Sequence, residues 1–170
     1  MTYREAINLG EKVLNMADVA DAKIDAWLLL EMVCKIDRSF YYLHMEDEVA
    51  EEQLSEYEIA LRKRAEHVPL QYIVGEAEFM GLKFKVNSNV LIPRQDTETL
   101  VEEALKVVKP GMKVLDMCTG SGCIIVSIVH NVAEVEGTAT DISKQALLVA
   151  KENAKLNQVS VTFERSDLFD

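Results

Sequence analysis

Three acids carry the clearest chemical potential in this sequence, because each closes a short apolar run. Asp116 lies in Lys113-Val-Leu-Asp-Met117, Asp141 follows Glu136-Gly-Thr-Ala-Thr140, and Asp167 comes shortly after Val159–Phe163. Between the first two lies the Gly-x-Gly turn Cys118-Thr-Gly-Ser-Gly122. Gly120 and Gly122 permit backbone conformations and close approaches that a Cβ would block. A carboxylate at 116 can accept from a cationic amino group. One at 141, about 20 residues beyond the glycines, is placed to grip both hydroxyls of a ribose. One at 167 can accept from an exocyclic adenine amine. The set suits a ligand with an ammonium, a ribose and an adenine.

A Gly-x-Gly turn alone equally describes a tight strand-to-helix connection that binds nothing. Against a nicotinamide dinucleotide, the third glycine of its fingerprint would fall at 125, where the chain has Ile125. A pyrophosphate is also disfavoured by Asp116 at the mouth of its cradle. The acids favour a cationic sulfonium over a dianion, and the ligand they predict is S-adenosyl-L-methionine.

The elements that must position these residues read as follows. Thr2-x-x-Glu5 has the form of a capping box ahead of Ile7, Val13, Leu14 and Ala17, which share a helical face. A second, unusually apolar helix covers Ala22–Cys34, and Tyr41–Met45 reads as an aromatic connection. Glu46–Glu58 carries seven carboxylates and no Lys or Arg, then leads into Arg62-Lys-Arg64, a sequence of charge that complements a helix dipole. The acidic run reads as a solvated face. Pro69 closes the helical region. Tyr72–Gly75, Glu78–Val86 and Val90–Pro93 read as short strands, with alternation at Leu82, Phe84 and Val86 marking a hairpin. A helix from Asp96 to Val108 follows, with Asp96 or Thr97 as its cap. The rest alternates: strand Lys113–Met117, helix Gly122–Val132, strand Glu136–Thr140, helix Ser143–Leu156, strand Val159–Phe163. Such βαβαβ order implies a parallel, doubly wound sheet.

Composition bounds the rest. The 170 residues carry 18 Lys+Arg against 29 Asp+Glu, a formal charge of −11, which argues against sequence-independent binding of nucleic acid. Three cysteines, Cys34, Cys118 and Cys123, form no paired framework, and the N-terminus has no apolar leader run, so the expected location is a reducing cytoplasm. No apolar stretch approaches the roughly 20 residues that span a bilayer, and no membrane association is expected. His44, His67 and His130 have no metal-ligand spacing, so no metal is expected. Trp27, Tyr41 and Tyr42 read as packing residues in place of base-stacking platforms.

The chain resembles a known family, the HemK/PrmC methyltransferases that modify glutamine in peptide-chain release factors. The segments that carry the likeness are Pro69-Leu-Gln-Tyr-Ile-Val-Gly75, Phe79-Met-Gly81, Val90-Leu-Ile-Pro-Arg-Gln-Asp-Thr-Glu98, Leu115–Ile124, Ala139–Ser143 and Ser166-Asp-Leu-Phe169. The resemblance implies an α/β chain: a helical substrate-recognition domain over 1–72, a β-hairpin linker over 73–92, and part of a class I S-adenosylmethionine-dependent methyltransferase (Rossmann-like) domain over 93–170. Carried over by position, Cys118, Thr119, Gly120, Ser121 and Gly122 line the methionine half of the cofactor, beside the ammonium acceptor Asp116. Asp141 holds the ribose, Ile142 packs on the adenine, and Asp167 with Leu168 contacts its edge. Pro93, Arg94, Thr97 and Glu98 match a segment that covers the active site. Cys118 stands where many methyltransferases have glycine.

In this family an Asn-Pro-Pro-Tyr tetrapeptide does the chemistry, accepting both hydrogens of the substrate amide so that its nitrogen faces the methyl group. The 170 residues contain no such tetrapeptide, and the resemblance places it beyond Asp170. No catalytic residue is therefore assigned, and the chain alone is expected to bind S-adenosylmethionine without transferring the methyl group. Without a fourth strand, Lys113–Met117 is expected to present an edge through which copies self-associate. Two other readings of the same residues are a nucleic-acid amino-methyltransferase and a non-catalytic, protein-binding helical module.

Overall fold

The computed structural model describes residues 1–169, and the chain divides into two units at Val74/Gly75. Asp170, expected as the last residue of the methyltransferase part and as the point beyond which the catalytic tetrapeptide falls, lies outside the described residues. The first unit holds five helices: α1 (Tyr3–Met16), α2 (Ala22–Cys34), α3 (Arg38–His44), α4 (Glu51–Ala65) and α5 (Leu70–Val74). The capping box is formed: the Thr2 hydroxyl accepts from Glu5 N at 3.2 Å while Glu5 Oε2 accepts from Thr2 N at 2.9 Å. α2 is apolar nearly all round and buries Ala26, Trp27, Leu29 and Leu30 in the core of this unit. One ionic contact is set into that packing. Arg64 Nε donates to Asp25 Oδ2 at 2.7 Å with Asp25 only 5% exposed, and Arg64 Nη1 also reaches the Val68 carbonyl. The remaining donors and acceptors of such a pair must be satisfied for it to be tolerated. Trp27 packs edge-on against Tyr41 beneath Arg38, whereas Tyr42 is largely exposed.

Three sequence expectations change here. Tyr41–Met45 is not a loop, because Asp37 Oδ1 accepts from Phe40 N at 2.7 Å and caps α3. The acidic stretch becomes helical only at Glu51. Tyr72–Val74 is helix instead of strand, since the Pro69 carbonyl accepts from both Tyr72 N and Ile73 N and starts a turn there.

The second unit opens with the hairpin β1 (Glu76–Phe79) and β2 (Leu82–Lys85), joined by the two-residue turn Met80-Gly81. Within the 73–92 segment read as a linker, Phe79 and Phe84 pack edge to face at 6.0 Å and join the core of this unit with Val101, Ile125, Val126 and Ala139. Val90–Pro93 forms no strand. α6 (Gln95–Val107) takes Arg94 as its N-cap, with no side-chain bond. Neither Asp96 nor Thr97 caps it, because the helix has already begun before them, as the bond from Thr97 N to the Arg94 carbonyl shows.

Then come β3 (Lys113–Met117), α7 (Cys123–Asn131), β4 (Glu136–Asp141), α8 (Lys144–Leu156) and β5 (Val161–Arg165). The three strands form one parallel sheet in the order β3-β4-β5. Side chains alternate across it: Val114, Ala139 and Phe163 face the helices, and Leu115 on the other face is exposed. Among the described residues β3 has a partner strand on one side only. No described helix is long and apolar enough to cross a membrane.

Gly10 on α1 gives a direct test of the helical packing. A Cβ there would overlap the Tyr57 hydroxyl, which donates to the Ala26 carbonyl at 3.0 Å. Gly10→Ala is expected to cost about 1–3 kcal/mol in urea unfolding as an overpacked site. Tyr57→Phe in the same chain should recover part of that loss. An additive pair of mutations would contradict the contact.

Candidate functional site

Every residue of the Gly-rich turn lies at the carboxyl end of β3, where ligands of open α/β sheets gather. The turn is short because two groups pull it tight. Gly122 N donates to the Thr119 carbonyl at 2.8 Å, and Thr119 N donates to the Thr140 carbonyl at the end of β4 at 2.9 Å. Gly122 has φ +80°, and a Cβ on it would lie 3.0 Å from Ala150 Cβ, so its side is closed by α8. Gly120 has φ +55°, and a Cβ there would meet nothing within 4 Å. One glycine packs against protein; the other faces open space. Cys118 also has a positive φ, +59°, a backbone conformation that favours glycine. Its thiol is exposed, whereas Cys123 is buried and its thiol is pushed up, chiefly by burial.

Asp116 and Asp141 flank this turn, and both are engaged with it. The Thr119 hydroxyl donates to Asp116 Oδ2 at 2.6 Å, and the Ile125 N–H in the first turn of α7 donates to the same carboxylate. Asp116 therefore caps a helix that has no capping side chain of its own. Asp141 uses both oxygens: Oδ2 accepts from Gly120 N and Oδ1 from Ser143 N, each at 2.9 Å. Four acceptor positions on a carboxylate leave two of those on Asp141 open to a ligand. Burial raises the Asp116 carboxyl above its ordinary range; its two hydrogen bonds pull the other way, and the like charge of Asp141 adds to the rise.

Farther out, Ile142 is 57% exposed with its carbonyl fixed by Arg165 Nε at 2.9 Å. Ser166 N donates to the Asp141 carbonyl at 3.2 Å and ties the end of β5 to the end of β4. Beyond it Asp167 and Leu168 are exposed, with Ser166 Oγ donating to the Leu168 carbonyl at 3.0 Å. The predicted cofactor residues thus gather along the ends of three adjacent strands.

The predicted cover segment divides. Pro93 precedes α6, and Arg94 is exposed with no ion pair among the described residues. Glu98 Oε1 accepts from Met80 N at 2.6 Å and holds the tip of the hairpin to α6. Asn153 is a residue that sequence reasoning missed. Fully buried on α8, its amide accepts from Lys85 N at 2.6 Å and donates to the carbonyls of Lys85 (3.0 Å) and Ser121 (2.9 Å). The one available signal was its place on the apolar face of α8 beside Ala146, Ala150 and Ala154.

Residues 5–75 match the family model described as the PrmC N-terminal domain, and residues 95–168 match that of the ribosomal protein L11 methyltransferase (PrmA). Curated relatives named release factor glutamine methyltransferase are similar along most of the chain. That of Koribacter versatilis is 36% identical over 170 residues, covering 99% of this chain and 61% of the relative. For Moorella thermoacetica the figures are 40% over 157 residues, 91% and 56%. For Clostridium acetobutylicum they are 41% over 174 residues, 100% and 61%. The chain thus spans 56–61% of the length of these three relatives.

The raised Asp116 carboxyl sets a pH dependence. Its folded value lies above its unfolded one, so between the two the native state holds more protons and loses stability as pH rises. The penalty is absent below the unfolded value and grows as pH rises from there through the folded one. Asp116→Asn should therefore be more stable than the wild type at neutral pH, with the gap closing as urea melts move down through the carboxylate range. A variant less stable at neutral pH, with the deficit vanishing in acid, would contradict this sign.

Proposed function

We propose, from its similarity to the PrmC N-terminal domain and to curated release factor glutamine methyltransferases, that the chain belongs to the HemK/PrmC family, binds S-adenosyl-L-methionine and serves the methylation of a glutamine side-chain amide in a peptide-chain release factor. One observation carries the cofactor part: two carboxylates flank a turn whose central glycine faces open space. An ammonium beside Asp116 would offset the burial of that charge and the repulsion from Asp141, which a pyrophosphate would worsen. The residues present fit the group. When bound, S-adenosylmethionine supplies a methyl group activated on a sulfonium.

The chain's own residues bind and orient. Cys118–Gly122 line the methionine half, with Gly120 leaving the space a side chain would fill. Asp141 offers its two remaining acceptor positions to the ribose hydroxyls while it holds Gly120 and Ser143. Ile142 supplies an exposed apolar face for the adenine, and Asp167 and Leu168 lie at its edge. Pro93, Arg94 and Thr97 are assigned to the substrate side. Glu98 is assigned a positioning role, since its carboxylate is already committed to Met80.

An amide nitrogen is a poor nucleophile because its lone pair is delocalised into the carbonyl. Acceptors for both of its hydrogens are needed to aim it, a catalysis of positioning and electrostatics. The resemblance assigns them to an Asn-Pro-Pro-Tyr sequence beyond Asp170, which the 170 residues do not contain. The formal charge of −11 favours a protein substrate over a nucleic acid.

Mass spectrometry of release factor incubated with S-adenosylmethionine tests the reading. A protein carrying these residues over the full length of the relatives should add the mass of one methyl group to one glutamine; the 170 residues alone should add none. Methyl transfer to RNA in its place would overturn the substrate assignment. A methylated glutamine produced by the 170 residues alone would overturn the assignment of catalysis to the tetrapeptide.

A further inference from the structure

The hairpin strand β2 has β1 on one edge, and its other edge is met by side chains of α8 in place of a strand. Asn153 pairs with Lys85 as a backbone would, taking its N–H and giving to its carbonyl. One turn later Asn157 Nδ2 donates to the Lys83 carbonyl at 2.9 Å. The two asparagines differ in where the second amide hydrogen goes. Asn153 spends its second amide hydrogen on the Ser121 carbonyl, in the middle of the Gly-rich turn, whereas Asn157 spends its own on the Asn153 carbonyl within α8. A carboxamide is the side chain that can accept once and donate twice in one plane, and at this fully buried position water cannot replace any of the three bonds.

What Asn153 joins gives this a consequence. Lys85 is two residues before Asn87, whose carbonyl and side chain organise the bend that launches Val90–Arg94. Ser121 sits between Gly120, held by Asp141, and Gly122, held by Thr119. We propose that Asn153 is a positioning residue whose single amide locks the Gly-rich turn to the β2 strand, so that the shape of the cofactor cradle and the point from which the 87–94 segment departs are set together. The proposal rests on the cofactor reading above. Ligand seated on the turn should then be felt at Lys85, on the far side of Asn153.

The test is hydrogen exchange and calorimetry with S-adenosylhomocysteine on the 170-residue chain. In the wild type, ligand should slow exchange of the Lys85 amide together with that of Gly120 and Gly122. Asn153→Leu, of similar shape but unable to bond, should weaken binding about tenfold or more and abolish the effect at Lys85. Asn157→Leu loses a hairpin bond but not the turn bond, and should change affinity by less than about threefold. Equal losses in the two variants, or a wild-type Lys85 amide indifferent to ligand, would overturn the proposal. The wild-type measurement stands even if Asn153→Leu does not fold. Absence of any binding by the wild type would instead sink the cofactor reading. The coupling would then be read without ligand in Asn157→Leu: whatever protection Lys85 loses should be matched at Gly120 and Gly122, and a Lys85 amide that loosens while the turn keeps its protection would overturn it.

Discussion

Two carboxylates at the ends of adjacent parallel strands, close enough that the charge of Asp141 raises the proton affinity of Asp116, are the constraint around which the second unit is arranged. Asp116 and Asp141, both half-buried, cannot both stay charged at low cost unless each is given hydrogen-bond donors. The structure provides them from the backbone and one hydroxyl: Ile125 N–H and the Thr119 hydroxyl for one, Gly120 N–H and Ser143 N–H for the other. Those bonds place the start of α7 over the end of β3 and the start of α8 over the end of β4. The same charges that cost stability in the free protein make the cradle receptive to a cation. Stability and binding are opposed at Asp116.

Around this centre, close approach is managed by small residues and fixed amides. Gly122 lets α7 begin against Ala150 of α8, while Gly120 keeps the outer side of the turn free. Asn153 and Asn157 attach the hairpin to α8, and Phe79 and Phe84 drive its inner face into the shared core. The hairpin is therefore a wall of the second unit. Glu98 secures its tip from α6, so the hairpin is pinned to α6 at its tip and to α8 along β2.

Much of this was legible in the sequence where the signal is local. The Thr2–Glu5 capping box, the alternation at Leu82 and Phe84, and the strand–helix order from Lys113 onward each depend on residues a few positions apart. The acids were legible as a set for the same reason: each closely follows its strand's apolar run. Their present partners were not, because backbone N–H groups leave no mark on a sequence. Asn153 was invisible in the same way, since its three bonds reach 68 and 32 residues along the chain. Tyr72–Val74 was misread because a short apolar run fits strand or helix equally, and the deciding Pro69 carbonyl is a structural detail. Glu98 lies in the segment read as a cover, and its bond from Met80 N, 18 residues back, leaves no local mark either.

The central claim is that the ends of β3, β4 and β5 form one adenosyl-sulfonium site. Titration of the isotopically labelled chain with S-adenosylhomocysteine, followed by amide NMR, tests it residue by residue. The account predicts that shifts cluster at Cys118–Gly122, at Asp141–Ser143 and at Asp167–Leu168, and spare the helical unit. Shifts confined to Met1–Val74, or none at saturating ligand, would contradict it.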